Sequence, residues 1–422
     1  MSSKTLIALN ENRNKCISVN IPFSKSISNR LLIIRHLAKS EKAIDNLSDS
    51  EDTALLQEFL SDIRDKRNNI FFCKNAGTTT RFLIALLCME EGTWTVQADE
   101  RMNQRPVLPL IKILQSLGAE TKGVNEDKIF PLLIRGRKLK SNGRIVLENN
   151  LTSQIISALL LISPYIKGGL ELKIPKDQVS FSYIEQTIAL ANHFGAKIEK
   201  NNNTILSLQS NYHYTQTSVE KDYSSLCFVL SFICTGKFKK VTINGLTPTL
   251  LQGESRALDF FSRLGLEYSF KENHAIFGYN ESILMQNENS STHEQELLFN
   301  MKDCPDVFLP LAVTCYCLGV KTRIINLGPQ RVKESNRLEN IAKELNKMGK
   351  RCFTDKDSLI INPSQVNKFG KLSFSSYNDH RMVMALSAVS LIAEKIEFDN
   401  VSCVDKSWKN FFEDMKDFIR FE

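Results

Sequence analysis

Six stretches of the chain share one design, and that design limits the available folds more than any other feature. They are "FSKSISNRLLIIRHLA" from Phe23, "NAGTTTRFLIALL" from Asn75, "LTSQIISALLLI" from Leu151, "DYSSLCFVLSFI" from Asp222, "CPDVFLPLAVTCYCL" from Cys304 and "YNDHRMVMALSAVSLIA" from Tyr377. Each opens on small or polar residues and then turns apolar at nearly every position. A helix that is apolar on all sides is buried on all sides. Most are followed by an amphipathic stretch: "RPVLPLIKILQSLGAE", "YIEQTIALANHFGAK", "GESRALDFFSRLGLE" and "KESNRLENIAKELNKMGK". These reach Gly118, Gly195, Gly265 and Gly349, where a left-handed cap can end a helix. Short β-type segments such as "AKIEK" and "TILSLQS" come next. The unit is a buried helix, an amphipathic helix and strands, repeated six times at roughly 70 residues. The first unit is short, because "SDIRDKRNNIFFC" leaves little room for a strand pair, so a trimmed hairpin is expected there.

A length of 422 residues exceeds one compact core and suits two domains. Charge and cysteine usage narrow the function classes. The formal net charge of +7 is spread over the chain rather than gathered in a basic stripe, which argues against nucleic-acid binding. A mild positive excess does suit small anionic substrates drawn into a cleft. The opening "MSSKTLIALNENRNK" lacks a basic-then-apolar secretory pattern, and no apolar run is long enough to span a bilayer. The ten cysteines show no C-x-x-C spacing, so free thiols in a reducing cytoplasm are expected, with no zinc.

Burial explains the apolar positions of the six helices but not their starts. The first N–H groups of a helix lack internal partners and, with the macrodipole, attract anions. Gly77 allows close approach of an anion to the backbone. Thr78, Thr79 and Thr80 offer caps or hydroxyl donors, and Arg81 adds a fork that fits carboxylate or phosphate. Matching chemistry recurs elsewhere. "SKS" supplies Lys25 and Ser26, with Arg30 one turn on; "LTSQ" supplies Thr152, Ser153 and Gln154; Arg105 precedes Pro106. "RVKESNR" supplies Lys333, Glu334 and Arg337, "NDHR" supplies Asp379, His380 and Arg381, and Lys406 is expected to open the last helix. A surface charge run would explain any one of these, but not the set.

The motifs "SKSISNR", "NAGTTTR", "RMNQRP", "LTSQIISALL", "CPDVFLPLAV", "RVKESNRL" and "NDHRMVMA" resemble, in order, those of the 5-enolpyruvylshikimate-3-phosphate synthase family. The resemblance spans nearly the whole chain. It implies an α/β fold: a two-domain inside-out α/β barrel of six βαββαβ-type repeats, three per domain, with the first repeat shortened. It also implies chain crossings near Ile21–Pro22 and Glu220–Asp222. Residues 22–220 would form an inserted domain on the shikimate 3-phosphate side. Residues 1–21 and 221–422 would form a discontinuous domain on the phosphoenolpyruvate and catalytic side, with the active site in the cleft between the two.

By the same resemblance, Lys25, Ser26, Arg30, Thr152, Ser153, Gln154, Ser180, Tyr183, Asp306 and Lys333 are expected to bind shikimate 3-phosphate. Lys25, Asn75, Gly77, Thr78, Arg81, Arg105, Gln154, Arg337, His380, Arg381 and Lys406 are expected to bind phosphoenolpyruvate. Enolpyruvyl transfer needs a base for the 5-hydroxyl proton and an acid for C3 of the enol ether. Asp306 is the expected base. The acid stays open between Lys25, where neighbouring cations ease proton donation, and Glu334, where Lys333 and burial pull in opposite directions. His380 either takes a direct part in the chemistry or orients Asp379 or a phosphate. The resemblance implies no metal or organic cofactor; a cytoplasmic monomer with no nucleic-acid or membrane partner is expected.

Four positions depart from the usual family pattern: Thr80 and Phe82 around Arg81, Asn336 where an aspartate is common, and Asn300 where an acid is common. The sister enzyme acting on UDP-N-acetylglucosamine is the second reading. "SKS" and the absence of a cysteine in an evident loop beside Arg105 weigh against it. A non-catalytic anion-binding protein would have lost the acid or the base, whereas Lys25, Asp306 and Glu334 are all present.

Overall fold

The computed structural model describes residues 4–124, 128–149, 151–284, 296–349, 351–362 and 368–421. The chain divides into two compact α/β units, Met1–Ser24 with Glu220–Glu422, and Lys25–Val219. The two connecting strands run together at the division. Phe23 bridges Lys221, the Ser24 N–H donates to the Glu220 carbonyl, and the Asp222 N–H donates to the Pro22 carbonyl.

Among the described residues each unit holds three sheets. In the first unit they run, in strand order, Phe369–Phe374, Ala393–Phe398, Lys4–Ala8, Ile419–Phe421; Leu266–Phe270, His274–Tyr279, Lys240–Asn244, Cys16–Val19; and Leu297–Asn300, Thr322–Ile325, Ser358–Ile361, Cys352–Thr354. In the second they run Ile70–Phe72, Thr93–Gln97, Leu132–Arg135, Glu120–Lys122; and Lys197–Asn201, Thr204–Leu208, Leu170–Lys173, Arg144–Val146. The third sheet of the second unit is only the parallel pair Ile44–Asp45 and Thr217–Ser218, followed by the helix Glu51–Asp65. Each four-stranded sheet mixes parallel and antiparallel neighbours; Thr93–Gln97, for example, pairs parallel to Ile70–Phe72 and antiparallel to Leu132–Arg135.

Side-chain alternation decides which sheet face is covered. Along Thr93–Gln97, Trp94 and Val96 are buried while Thr93 and Gln97 are exposed, the period-2 pattern of a half-buried strand. The covered faces pack on the apolar helices that the sequence marks out. These are Lys25–Leu37, Gly77–Leu87 and Ser153–Ile162 in one unit, and Tyr223–Gly236, Phe308–Leu318 and His380–Ser387 in the other. Every residue of Tyr223–Gly236 is buried. Each fully buried Leu, Ile or Phe contributes about 1.5–3 kcal/mol, so these helices carry much of the stability. Their few hydroxyls pair inside the core: Thr314 Oγ1 donates to Ser231 Oγ at 2.8 Å. Gly118, Gly195 and Gly265 have φ of +101°, +100° and +98°, as their helix-ending positions require. No helix of the described residues is long and apolar enough to cross a membrane.

All ten cysteines are free thiols, most of them buried in the core. Burial pushes the Cys73 and Cys88 thiols up to about 12, so they behave as small apolar side chains.

Candidate active site

In the unit Lys25–Val219, five helix starts carry the polar side chains. Lys25 is the first residue of Lys25–Leu37, and its ammonium pairs with the Asp52 carboxylate at 2.9 Å. Asp52 sits in the first turn of Glu51–Asp65, capped by Ser50, and its carbonyl accepts the Thr79 hydroxyl at 2.9 Å. Sequence reasoning missed Asp52. Its signal was the acidic, hydroxyl-rich run "SDSEDT", a helix start that carries no cation.

Gly77–Leu87 starts differently from expectation. Its cap position is Ala76, with no side-chain cap. The threonines lie inside the first turn, where a hydroxyl reaches carbonyls rather than N–H groups. Thr80 accordingly donates to the Ala76 carbonyl at 2.7 Å, and Thr78 is half-buried beside it. The end of this helix is covered by Arg105, whose Nη1 donates to the Asn75 carbonyl and Oδ1 at 3.1 and 3.2 Å. The guanidinium lies so close that a Cβ on Gly77 would sit 2.3 Å from its Nη2. Gly77 thus makes room for a cation beside the start of this helix.

Arg81 is almost fully buried and points inward. Its Nη1 donates to the Gly77 carbonyl at 2.9 Å and to Gln154 Oε1 at 2.8 Å, and its Nη2 donates to the Pro106 carbonyl at 2.6 Å. It therefore ties Gln154 and the Arg105 segment to one helix. Gln154 lies in the first turn of Ser153–Ile162, whose Thr152 cap accepts the Gln154 N–H at 3.4 Å. Arg30 donates to Thr187 Oγ1, the Ser26 carbonyl, Ser157 Oγ and the Tyr183 carbonyl at 2.8 to 3.1 Å. Its guanidinium also lies 5.5 Å from the Phe82 ring and 5.9 Å from the Tyr183 ring. The departure at Phe82 therefore has a local consequence, an aromatic surface against which Arg30 rests. Ser180, with φ of +58°, stands at the cap position of Phe181–His193. The hydroxyls of Ser157 and Thr187 were not singled out from the sequence. Each interrupts an otherwise apolar helical face.

In the other unit a denser cluster forms around Arg337, the first residue of Arg337–Leu345. Its Nε and Nη2 grip Asp379 Oδ2 and Oδ1 at 2.7 and 3.0 Å, and Nη2 also reaches Glu334 Oε2 at 2.7 Å. Asp306 Oδ1 lies 3.7 Å from Arg337 Nη1, and Asp306 Oδ2 lies 3.0 Å from Arg381 Nη2. Lys406 Nζ stands 3.6 Å from Glu334 Oε1. Burial works against the Arg337 charge, yet Asp379, Glu334 and Asp306 outweigh it and push the guanidinium above its ordinary value.

Asp379 caps His380–Ser387 by accepting the Arg381 N–H at 3.1 Å, and it accepts the Ser335 hydroxyl at 3.0 Å. The buried ring of His380 has Nδ1 3.8 Å from Asp379 Oδ1. Asp306 lies in the short turn Pro305–Val307 ahead of Phe308–Leu318, whose cap position is Val307. Lys333 follows the turn Gly328–Val332 and is half-buried. Lys406 does not open a helix as expected: it ends the 3-10 turn Ser402–Lys406, because Trp408 and Phe411 pack inward first and the next helix is Phe411–Asp414. Asn336, the other departure, caps Arg337–Leu345 by accepting the Glu339 N–H at 3.4 Å. Asp379 gives Arg337 the carboxylate partner that Asn336 does not.

Two α/β units with mixed sheets packed on buried helices carry guanidinium, ammonium and carboxylate groups at their helix starts, which defines an α/β class with clustered charge. Comparison with known proteins specifies it: the chain belongs to the EPSP synthase (3-phosphoshikimate 1-carboxyvinyltransferase) family, whose model matches residues 16–415. It is 32% identical over 401 residues to a 3-phosphoshikimate 1-carboxyvinyltransferase of Bacteroides fragilis (strain YCH46), covering 94% of each chain. It is 29% identical over 428 residues to the protein of that name from Haemophilus influenzae (strain PittGG), covering 94% of this chain and 95% of the other. The fold is similar to that of an EPSP synthase from Acinetobacter baumannii, with a TM-score of 0.76 at 18% identity over the full length of both chains.

Proposed function

We propose that this chain transfers the enolpyruvyl group of phosphoenolpyruvate to the 5-hydroxyl of shikimate 3-phosphate and releases phosphate. The supporting observation is family membership over residues 16–415 together with a complete set of acid, base and cationic groups: Lys25, Asp306, Glu334, Arg337, Arg381 and Lys406. We further propose that the fold is the family's inside-out barrel of six repeats, that the protein is a cytoplasmic monomer, and that both units serve one reaction.

In this reading Asp306 accepts the 5-hydroxyl proton as that oxygen bonds to C2 of phosphoenolpyruvate. The C2–C3 π pair takes a proton from Lys25 or Glu334 at C3. The tetrahedral carbon then carries methyl, carboxylate, phosphate and the new ether oxygen. Loss of one C3 proton and rupture of the C2–O bond to phosphate restore the alkene and free the anion. Arg337, Arg381, Lys406 and Arg105 stabilise the charge that accumulates on carboxylate and phosphate oxygens. Lys25, Ser26, Arg30, Thr152, Ser153, Gln154, Ser180, Tyr183 and Lys333 hold shikimate 3-phosphate.

A phosphate-release assay tests the proposal. Turnover should require both shikimate 3-phosphate and phosphoenolpyruvate. Release with UDP-N-acetylglucosamine in place of shikimate 3-phosphate would move the chain to the sister activity. No release with either acceptor would leave a non-catalytic anion-binding protein.

A further inference from the structure

The mechanism does not use Glu344, yet its side chain is fully buried. Its Oε1 accepts the Tyr377 hydroxyl at 2.7 Å, and its Oε2 accepts the Ser375 N–H at 3.1 Å and the Lys347 ammonium at 2.5 Å. The segment it holds has an uncommon backbone. Tyr377 and Asn378 have φ of +54° and +51°, two consecutive left-handed residues that are not glycine. The next residue is Asp379. Glu344 also lies seven positions after Arg337 on the helix Arg337–Leu345. Seven residues are about two turns, so both side chains leave the same face, roughly 10 Å apart. That face holds the segment 375–379 at both ends: Glu344 takes Ser375 and Tyr377, and Arg337 takes Asp379. Further bonds tighten the turn. Ser376 N–H donates to Asp399 Oδ1 at 2.8 Å, and Asn400 Nδ2 donates to Asn378 Oδ1 at 2.8 Å.

We infer that Glu344 and Tyr377 are positioning residues, a strut that keeps the left-handed pair in place so that the Asp379 carboxylate meets Arg337 squarely. Left-handed L-residues persist only where surrounding contacts over-determine them. Without the strut, 377–378 relaxes toward commoner backbone angles and Asp379 rotates. Arg337 then loses its two-point partner while keeping Glu334 and Asp306, and swings from the geometry that would receive phosphoenolpyruvate. The functional consequence rests on the reading proposed above; the structural one does not.

Tyr377→Phe, which deletes the hydroxyl bond, and Glu344→Gln, which leaves one acceptor oxygen where two are used, test it while keeping the shape. Either should raise KM for phosphoenolpyruvate about tenfold while KM for shikimate 3-phosphate stays within twofold. Amide exchange needs no substrate and reads the strut separately. The Asp379 N–H bonds the Ser376 carbonyl and the Arg381 N–H bonds Asp379 Oδ1, and both should exchange at least tenfold faster in Tyr377→Phe. Unchanged exchange or an equal rise in both KM values overturns the proposal. So does loss of folding in both single variants, since a strut for one turn leaves the core intact. A wild-type protein that turns over nothing defeats the functional reading alone, and exchange still decides the strut.

Discussion

Replacing Gly77 with alanine tests whether this position exists to seat Arg105. The added Cβ would lie 2.3 Å from Arg105 Nη2, 2.7 Å from Cζ and 2.8 Å from Nη1. Ordinary contact begins near 3.4 Å, so the guanidinium must retreat by about 1.1 Å (from 2.3 to 3.4 Å). It can do so, because it is the far end of a flexible side chain. Its bonds to the Asn75 carbonyl and Oδ1, now 3.1 and 3.2 Å, would then stretch beyond hydrogen-bond range. A hydrogen bond involving a charged group contributes about 1.5–3 kcal/mol. Losing one such contact to a bound anion, by the same displacement, predicts a roughly 10- to 100-fold rise in KM for phosphoenolpyruvate. Alanine fits the first turn of a helix, so Tm should move by no more than a few degrees. Steady-state phosphate release, with each substrate varied in turn, is the assay. If phosphoenolpyruvate KM stays within twofold while the protein remains folded, Arg105 is not held in place by the absence of a side chain at 77.

Three further outcomes follow from the geometry. Asp306→Asn removes the carboxylate between Arg337 and Arg381 and should cut kcat by at least 1000-fold with little change in circular dichroism; near-normal turnover would remove Asp306 from the base role. Lys25→Ala leaves the buried Asp52 without its cation and should lower both stability, by roughly 1–3 kcal/mol in urea unfolding, and activity; adding Asp52→Asn should restore stability but not turnover, and recovery of both would make the pair purely structural. Alkylation of the native protein at pH 8 should label exposed Cys16 first, because burial pushes buried thiols such as Cys73, Cys88 and Cys315 up to about 12 and only a rise in pH toward that value exposes their thiolates; rapid labelling of several cysteines by mass spectrometry would contradict the packed core.

The helices were legible because all-round apolarity has few explanations, and Tyr223–Gly236 or Ser153–Ile162 could not be surface elements. The glycine stops were legible because φ near +100° at Gly118, Gly195 and Gly265 excludes most other residues. Partner choice was less visible. Arg81 reads from sequence as a forward-facing anion ligand, and its inward turn depends on carbonyls at Gly77 and Pro106, which carry no side-chain signature. The threonines at 78–80 read as caps or hydroxyl donors, but the cap position is Ala76, and Thr79 and Thr80 donate to the Asp52 and Ala76 carbonyls. Asp52 and Glu344 escaped notice because an acid on an amphipathic helix normally faces water, and only tertiary packing buries these two. Asp379 stands out in "NDHR", but its grip on Arg337 joins segments 42 positions apart.

The Arg337 cluster holds three carboxylates, Asp306, Glu334 and Asp379, against three cations, Arg337, Arg381 and Lys406, so these six groups are formally balanced. Burying such a network rarely stabilises a fold more than apolar packing would. Its value lies in what happens when balance is disturbed. On the proposed reading, a phosphoenolpyruvate anion at Arg381 and Lys406 adds negative charge beside Glu334, whose oxygens lie 2.7 Å from Arg337 and 3.6 Å from Lys406. The newcomer competes for those cations and leaves the carboxylate facing an anion. If Glu334 supplies the C3 proton, phosphoenolpyruvate binding should be accompanied by net proton uptake. Titration calorimetry in buffers of differing ionisation enthalpy measures the uptake directly, with shikimate 3-phosphate replaced by an unreactive analogue lacking the 5-hydroxyl. Glu334→Gln should abolish the buffer dependence while leaving an anion bound. A wild-type slope of zero would mean that the proton for C3 comes from elsewhere, and Lys25, paired with Asp52, becomes the acid.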